Sequence, residues 1–235
     1  MNHTLSTITE RADALYAARE DLENVRESVK LLQSAQAHDD YEANWRLGRA
    51  LFLLGQESKE ATEAREAHSQ AAHFCKRAAL AEPSRVEGHF WLGVNLALLA
   101  QTENPLNALR HALQAKRALQ RAVRLDPAYH AAGPLRVLAR LEHKLPRLFG
   151  GSRARSRAHF EEAIRLSPSN TVTRIYFAEL LLDSGEPAHA RAQLESVINA
   201  PLDPDWEFET KRDQRLALEM LKRTDRRRRG KRGNG

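Results

Sequence analysis

An eight-residue pattern recurs three times along the chain, and each copy ends in a proline. The copies are KRAALAEP at residues 76–83, QRAVRLDP at 120–127 and EEAIRLSP at 161–168. Each copy has small or apolar residues on one face of what reads as the last turns of a helix. The proline that closes it cannot continue the helix. The prolines are 44 and 41 residues apart, which is typical of a repeated helical unit. The pattern predicts an all-α solenoid whose function lies in a surface.

Composition agrees with this prediction and limits the choice of partner. Apolar residues make up 42% of the chain and aromatic residues only 6%, while the abundant Ala, Leu, Arg and Glu are helix formers. The net charge of +6 comes from the segment 226–232, so the rest of the chain is neutral. This distribution disfavours nucleic acid as a partner of the folded body. Cys75 is the single cysteine, which excludes an intrachain disulfide and predicts a buried structural thiol.

The N-terminal sequence MNHTLS has no basic segment followed by an apolar one, and no cysteine placed for lipidation. No apolar run reaches the roughly 18 residues that a transmembrane helix needs. As it stands, the sequence predicts a cytoplasmic protein without a transmembrane segment. A periplasmic location follows instead if the native N-terminus is missing.

A second helical pattern lies upstream of each proline. It contains a large apolar residue followed by a small one, and the small positions are Gly48, Gly93, Ala139 and Ala178. A small residue lets two antiparallel helices approach closely, and the large one fills the space between neighbouring pairs. These four positions are therefore predicted to be packing positions.

The two patterns together resemble the tetratricopeptide repeat, or TPR. The second helices carry the repeat's spacing of small and large residues before the proline: Ala71, Cys75 and Ala78, then Ala115, Leu119 and Ala122, then Ser156, Phe160 and Ala163. The resemblance implies a solenoid over residues 1–223. It would contain a degenerate repeat at 8–40, repeats at about 41–83, 84–127, 128–168 and 169–202, and a capping helix at 205–223. Residues 224–235 are predicted to form a disordered basic tail.

The middle repeats exceed the usual 34 residues of a TPR by about ten and seven residues, which corresponds to about three and two helical turns. This excess predicts lengthened second helices that include residues 57–70 and 104–114. In the third unit the excess falls in residues 144–152 and predicts a structured loop. Gly150 and Gly151 there permit positive φ, and Ser152 is placed to cap the next helix.

Four elements are similar to bacterial TPR proteins of the TatT family, the T-components of TRAP transporters. These elements are residues 88–95, 127–138, 145–152 and 159–163, and the similarity covers about residues 40–223. The resemblance implies a periplasmic, often lipid-anchored scaffold that can form trimers. It also implies a solute-binding protein as partner.

Catalytic chemistry has little support in the sequence. The histidines are scattered, and His68 and His73 are five residues apart, so they lie on different faces of a helix. We predict no catalytic residue, no metal site and no cofactor. Gly150, Gly151 and Ser152 precede three arginines and could cradle an anion. A capped turn on a solvated basic face is the favoured interpretation.

The stronger candidate for a functional site is the inner face of the solenoid, which the first helix of each pair would form. The predicted binding residues are Trp45, Arg49, Phe52, Glu87, Phe90, Val94, Arg136, Arg140, Ile175 and Glu179. Aromatic and aliphatic residues interleaved with arginines suit an extended peptide or an apolar molecule that bears a carboxylate. The alternative for Trp45, Phe90 and Ile175 is that they belong to the core.

The sequence thus predicts a non-enzymatic TPR scaffold that binds a protein segment or a small apolar carboxylate ligand, in association with a TRAP transporter. The alternative is an electrostatic adaptor that docks on nucleic acid or an anionic membrane through Arg226–Arg232. Because that tail has no interleaved aromatic residues for base stacking, a solubilising tail is favoured. A homo-oligomer is compatible with the pattern, and the identity of the partner is left open.

Overall fold

A computed structural model describes residues 2–34 and 40–232 of the chain, without the side chains of residues 2–5, 205 and 225–232. These residues form eleven α-helices and two short 3-10 helices, with no strand among them. The predicted all-α fold of helical hairpins is therefore confirmed. The chain divides into two compact units, Met1–Tyr129 (unit 1) and His130–Gly235 (unit 2).

Unit 1 consists of three helical hairpins. They pair α1 (Asn2–Ala17) with α2 (Leu22–Ser34), α3 (Tyr41–Glu57) with α4 (Ala61–Ala81), and α5 (Val86–Leu99) with α6 (Pro105–Leu125). Helices α4 and α6 have 21 residues each, whereas their partners α3 and α5 have 17 and 14. The prediction of extended middle repeats is confirmed.

The small residues of α3 and α5 are required by close helix contacts. A Cβ atom on Gly48 would lie 1.9 Å from Cys75 Sγ, and one on Gly93 would lie 2.5 Å from Leu119 Cγ. Cys75 and Leu119 are both completely buried, so neither can move aside at low cost. Gly48 and Gly93 are packing positions, as predicted, and Cys75 is the predicted buried thiol.

A buried amide joins three helices of unit 1. The Asn95 side chain on α5 donates Nδ2 hydrogens to Trp91 O at 2.8 Å and to Gly48 O of α3 at 3.3 Å. Its Oδ1 lies 3.0 Å from His68 Nδ1 on α4. Because both Nδ2 hydrogens are used, Oδ1 accepts and His68 carries its proton on Nδ1. Burial lowers the pKa of His68, which keeps the ring neutral.

Unit 2 contains most of α7 (Tyr129–Lys144), followed by α8 (Arg153–Leu166), α9 (Thr171–Asp183), α10 (Pro187–Ile198) and α11 (Glu207–Arg232). Its core includes Phe160, Ile175 and Leu194, and α11 packs against α9 and α10 as the predicted capping helix. Ser156 stands where the repeat usually has alanine. Its buried hydroxyl donates to Ala139 O at 2.8 Å, so the polar atom is satisfied.

Helix α11 continues beyond residue 223, where the sequence pattern placed its end, to Arg232. The predicted disordered tail covers residues 224–235. The structure does not describe the side chains of residues 225–232, and residues 233–235 lie outside the described part of the chain. The tail and its docking role therefore stay predictions.

The first turn of α7 is left-handed. His130, Ala131 and Ala132 have φ values of 50°, 53° and 57°, and this conformation costs an L-residue roughly 1–2 kcal/mol. Pro134 follows two residues later. A proline is tolerated in the first turn of a right-handed helix because its missing N–H is not needed there. The regular part of α7 therefore starts near Pro134.

Candidate binding surfaces

Helix α3 carries a tryptophan covered by two arginines. The guanidinium carbons of Arg46 and Arg49 lie 4.3 and 5.1 Å from the Trp45 ring centroid, so only 8% of Trp45 is exposed. Arg49 also lies 4.0 Å over the ring of Tyr16 on α1. Asp13 of α1 forms ion pairs with both arginines. Stacking and ion pairing together hold the two guanidinium groups against the rings.

Two glutamates continue this network towards α5. Glu42 accepts from Trp45 Nε1 at 2.9 Å and from Arg46 and Arg85. Glu87 accepts from Tyr41 Oη at 2.6 Å and from Arg85 Nη2 at 2.9 Å. Burial alone would raise the pKa of both carboxyl groups, but these donors outweigh it and leave each pKa below its usual value. Both glutamates are therefore ionised at neutral pH.

We name this network the arginine–aromatic face. Its members are Asp13, Tyr16, Glu42, Trp45, Arg46, Arg49, Arg85 and Glu87. Its three arginines are matched by three carboxylates within the face. The structure thus brings together three of the predicted binding residues of unit 1, namely Trp45, Arg49 and Glu87.

The other predicted residues of unit 1 form an apolar layer. Phe52 is half-buried, and its ring centroid lies 5.3 Å from that of Trp91. Phe90 is 1% exposed and packs edge-on against Trp91 and Tyr129, while Val94 is 7% exposed. Phe90 and Val94 therefore act in packing, and Phe52 remains accessible from the surface.

In unit 2, α7 and α9 present a second set of charged groups. Arg140 lies 3.7 Å over the Tyr176 ring and donates to Glu179 Oε2 at 3.2 Å. Lys144 Nζ lies 3.3 Å from the same carboxylate oxygen. Ile175 is 1% exposed and belongs to the core. The predicted residues Arg140 and Glu179 are thus ion-paired, whereas Ile175 has the packing role that was its alternative.

Arg136 differs from the other predicted arginines because it is buried and has no bonded carboxylate among the described residues. Its Nη1 donates to Ala131 O at 2.9 Å and to Asn170 Oδ1 at 3.3 Å. Burial lowers the pKa of Arg136 to about 10, so it stays charged at neutral pH. Asp213 is within electrostatic range, but it accepts from Thr171 Oγ1 at 2.7 Å and pairs with Arg212.

The loop after α7 uses its polar groups internally. Gly150 has a φ of 86°, as predicted, whereas Gly151 does not have a positive φ. Gly151 is needed for a different reason, because a Cβ atom added there would lie 1.8 Å from Leu145 O. The Ser152 backbone N–H donates to Glu142 O, and its side chain caps α8 by accepting from Arg155 N. Buried Glu142 also binds Arg155 Nε at 3.0 Å. The structure therefore supports a capped turn rather than an anion cradle.

The histidines do not form a metal centre in the part of the chain that the structure describes. No group of three or more His, Cys, Asp or Glu side chains there could hold a metal ion. His68 belongs to the buried Asn95 network, and His73 is exposed on the same helix.

The sequence matches the family described as TRAP transporter T-component over residues 42–227. The chain belongs to this family. The resemblance predicted from the sequence is confirmed. The matched region of the T-component family includes all ten predicted binding residues and the loop at 145–152. It does not include α1, which supplies Asp13 and Tyr16 to the arginine–aromatic face.

A solved structure supports the fold of this T-component family member. It is the crystal structure of a thermophilic TPR protein from Thermus thermophilus, with a TM-score of 0.67 and 22% sequence identity. The alignment covers 91% of the present chain and 98% of the Thermus chain. Comparison with curated proteins gives no match. Among the described helices, none has the length and apolar character to cross a membrane.

Sequence reasoning missed several residues that complete these surfaces: Asp13, Tyr16, Arg85 and Tyr176. Tyr176 lies three residues before the predicted Glu179, which places both on one face of α9. Asp13 and Tyr16 are also three residues apart, on α1. Helical spacing could have grouped each pair, but it does not show which arginine the pair contacts.

Proposed function

We propose that this chain is a non-enzymatic scaffold of a TRAP-type transport system and that the arginine–aromatic face of unit 1 holds a segment of a partner protein. Family membership supports the transport context, and the TPR-like fold supports a protein partner. We take a TRAP solute-binding protein as this partner and the periplasm as the location. Cell fractionation tests the location directly.

The observation that carries the proposal is the stacking of guanidinium groups on the rings of half-buried Tyr16 and of Trp45. Arg49 lies between the Tyr16 and Trp45 rings and is also ion-paired to Asp13. Arginine, tyrosine and tryptophan are the residues that most often dominate the binding energy of protein interfaces. Side chains already held in place lose less conformational entropy when a partner binds.

The charge balance of the arginine–aromatic face favours a peptide over a lone anion. A small anion would have to displace Asp13, Glu42 or Glu87 from an arginine. A peptide segment does not need that exchange, because it can pack on half-buried Tyr16 and Phe52 and on the stacked guanidinium groups. It can also hydrogen-bond to donors and acceptors at the edges of the ion pairs.

The test is a binding measurement between the purified full-length chain and the solute-binding protein of a TRAP transporter from the same genome. Arg49→Gln removes the stacked charge and is expected to weaken the Kd at least about tenfold, the effect of losing about 1.4 kcal/mol. The matched control is Arg124→Gln. Arg124 is an exposed arginine in the last turn of α6, outside the face, and its substitution should change the Kd less than twofold.

The two parts of the proposal fail in different ways. If the wild-type chain does not bind the solute-binding protein, the partner is wrong. If it binds but Arg49→Gln and Tyr16→Ala bind equally well, the face is wrong. Far-UV circular dichroism of each variant shows whether a loss of binding comes from a loss of helix.

A further inference from the structure

A separate cluster in unit 2 has an excess of hydrogen-bond donors. We name it the Arg136 site, and its members are Arg136, Arg140, Asn170 and Tyr176. Its acceptors are already occupied. Asn170 Oδ1 accepts from Arg136 Nη1 and from both the backbone N–H and the hydroxyl of Thr173. Ala131 O also accepts from Arg136, and Glu179 accepts from Arg140.

Donors are left over at this site. Both hydrogen bonds of Arg136 use Nη1, so Nε and Nη2 have no acceptor among the described residues. Arg136 as a whole is 7% exposed, so a small part of its side chain reaches the surface of the protein. Tyr176 is half-buried and lies within electrostatic range of Arg136. The unused nitrogens of Arg136 can only donate, and the Tyr176 hydroxyl can donate as well.

The charge at Arg136 also lacks a bonded counterion. A buried cation without a paired anion is unfavourable, and an anion that binds it regains much of that free energy. Arg140, on the next turn of α7, is already bound to Glu179. Asp213 is held by Thr171 and Arg212 rather than by Arg136. Arg136 is therefore the cation of this site that has no bonded carboxylate among the described residues, and an anion could pair with it.

The strained turn of α7 fixes the direction of the guanidinium group. Left-handed His130, Ala131 and Ala132 place Ala131 O against Arg136 Nη1, and Asn170 on the N-terminus of α9 binds the same nitrogen. Because the guanidinium is planar, fixing Nη1 from two directions also fixes the edge formed by Nε and Nη2. That edge presents two parallel N–H donors, the arrangement that matches a carboxylate.

We propose that the Arg136 site binds the carboxylate group of a small organic acid. The Nε and Nη2 edge of Arg136 donates to the two carboxylate oxygens, and the Tyr176 hydroxyl adds a third hydrogen bond. A free acid and the C-terminal carboxylate of a peptide share this chemistry. The site lies within unit 2 and shares no residue with the arginine–aromatic face.

Calorimetric titration of the full-length chain with defined compounds tests the site. The carboxylates are acetate, hexanoate and benzoate, and hexanamide is the uncharged analogue. Trialanine and its C-terminal amide distinguish a peptide carboxylate from a free acid. We expect at least one carboxylate, free or peptidic, to bind at millimolar concentration or below, and the matching amide not to bind. Inorganic phosphate and sulfate should bind more weakly, because three donors leave some of their oxygens and much of their larger charge unpaired at a mostly buried site.

Variants assign the binding to named donors. Tyr176→Phe removes one hydrogen bond without a change of shape and is expected to weaken carboxylate binding about fivefold. Arg136→Lys loses the paired donors and should weaken it at least tenfold. Arg165→Gln, in an exposed ion pair of α8, is the matched control and should have no effect.

Several results would overturn the site. They are the absence of binding by every carboxylate, equal binding of the amides, tighter binding of phosphate or sulfate, and unchanged binding in both Tyr176→Phe and Arg136→Lys. If Arg136→Lys does not fold because the bond to Ala131 O is lost, Tyr176→Phe decides alone. A trialanine-only response supports the site and identifies a peptide as its ligand.

Discussion

Replacing Ala131 with glycine is expected to stabilise the protein, although the same change in an ordinary helix is destabilising. Ala131 is the middle residue of the left-handed turn, with a φ of 53°. Glycine adopts this conformation without the steric cost that a Cβ atom brings. The Ala131 carbonyl that accepts from Arg136 is a backbone group, so the substitution keeps this bond.

The magnitude follows from two opposing terms. A left-handed conformation costs alanine roughly 1–2 kcal/mol, and glycine recovers this amount. Glycine also loses more conformational freedom on folding, which costs about 0.5–1 kcal/mol. Ala131 is only partly buried, so the loss of its methyl group adds little. The net gain is about 0.5–1 kcal/mol, which corresponds to a rise in Tm of roughly 1–4 °C for a chain of this size.

Urea unfolding followed by circular dichroism measures this change, and Ala158→Gly provides the control. Ala158 is exposed in the right-handed helix α8, so its replacement should cost about 1 kcal/mol. The two glycine variants are thus expected to shift the unfolding midpoint in opposite directions. If Ala131→Gly lowers the midpoint as much as Ala158→Gly does, residue 131 is not left-handed and the reasoning about strain at the Arg136 site fails.

Three further predictions concern buried contacts. Gly48→Ala should destabilise by about 1–3 kcal/mol because its methyl would lie 1.9 Å from Cys75 Sγ, and adding Cys75→Ala should restore most of the loss in urea unfolding. Burial lowers the pKa of His68 below 6.5, so the unfolded chain protonates first. Stability should therefore fall as the pH drops below 6.5, and thermal melts of His68→Gln should show a shallower fall. Glu142→Gln should destabilise by roughly 2 kcal/mol at neutral pH, because it breaks the ion pair between the buried Glu142 carboxylate and Arg155. Hydrogen bonding to His159 and Arg155 outweighs burial and lowers the pKa of Glu142, so this difference should shrink as the pH falls through that pKa.

The hairpins could be predicted because their signals are local. Helices α4, α6 and α8 end at Ala81, Leu125 and Leu166, each two residues before a proline of the repeated octet. The Ser152 cap and the positive φ of Gly150 were also predictable from neighbouring residues. The left-handed turn was not, because a His-Ala-Ala segment contains no glycine to indicate it.

The candidate surfaces were harder to predict because their contacts link distant segments. Asp13 reaches Arg49 across 36 positions of sequence, and no spacing rule identifies such a pair. Phe90 and Ile175 occur at helical positions similar to that of Trp45, and they are 1% exposed where Trp45 is 8% exposed and stacked against arginines. A single sequence does not show whether an apolar side chain of a helix is buried in the core or exposed on a binding surface. That distinction requires knowing which neighbouring side chains cover the residue in the folded protein.

The buried Asn95 amide has a consequence for how unit 1 assembles. Apolar helix faces can slide past one another by a turn and still bury similar areas, so similar hairpins could pack in several alignments. A slide would separate Asn95 from Gly48 O and His68, leaving buried polar groups without partners. A buried asparagine fixes the axial register of a coiled coil in this way. Asn95 thus sets a single register for α3, α4 and α5.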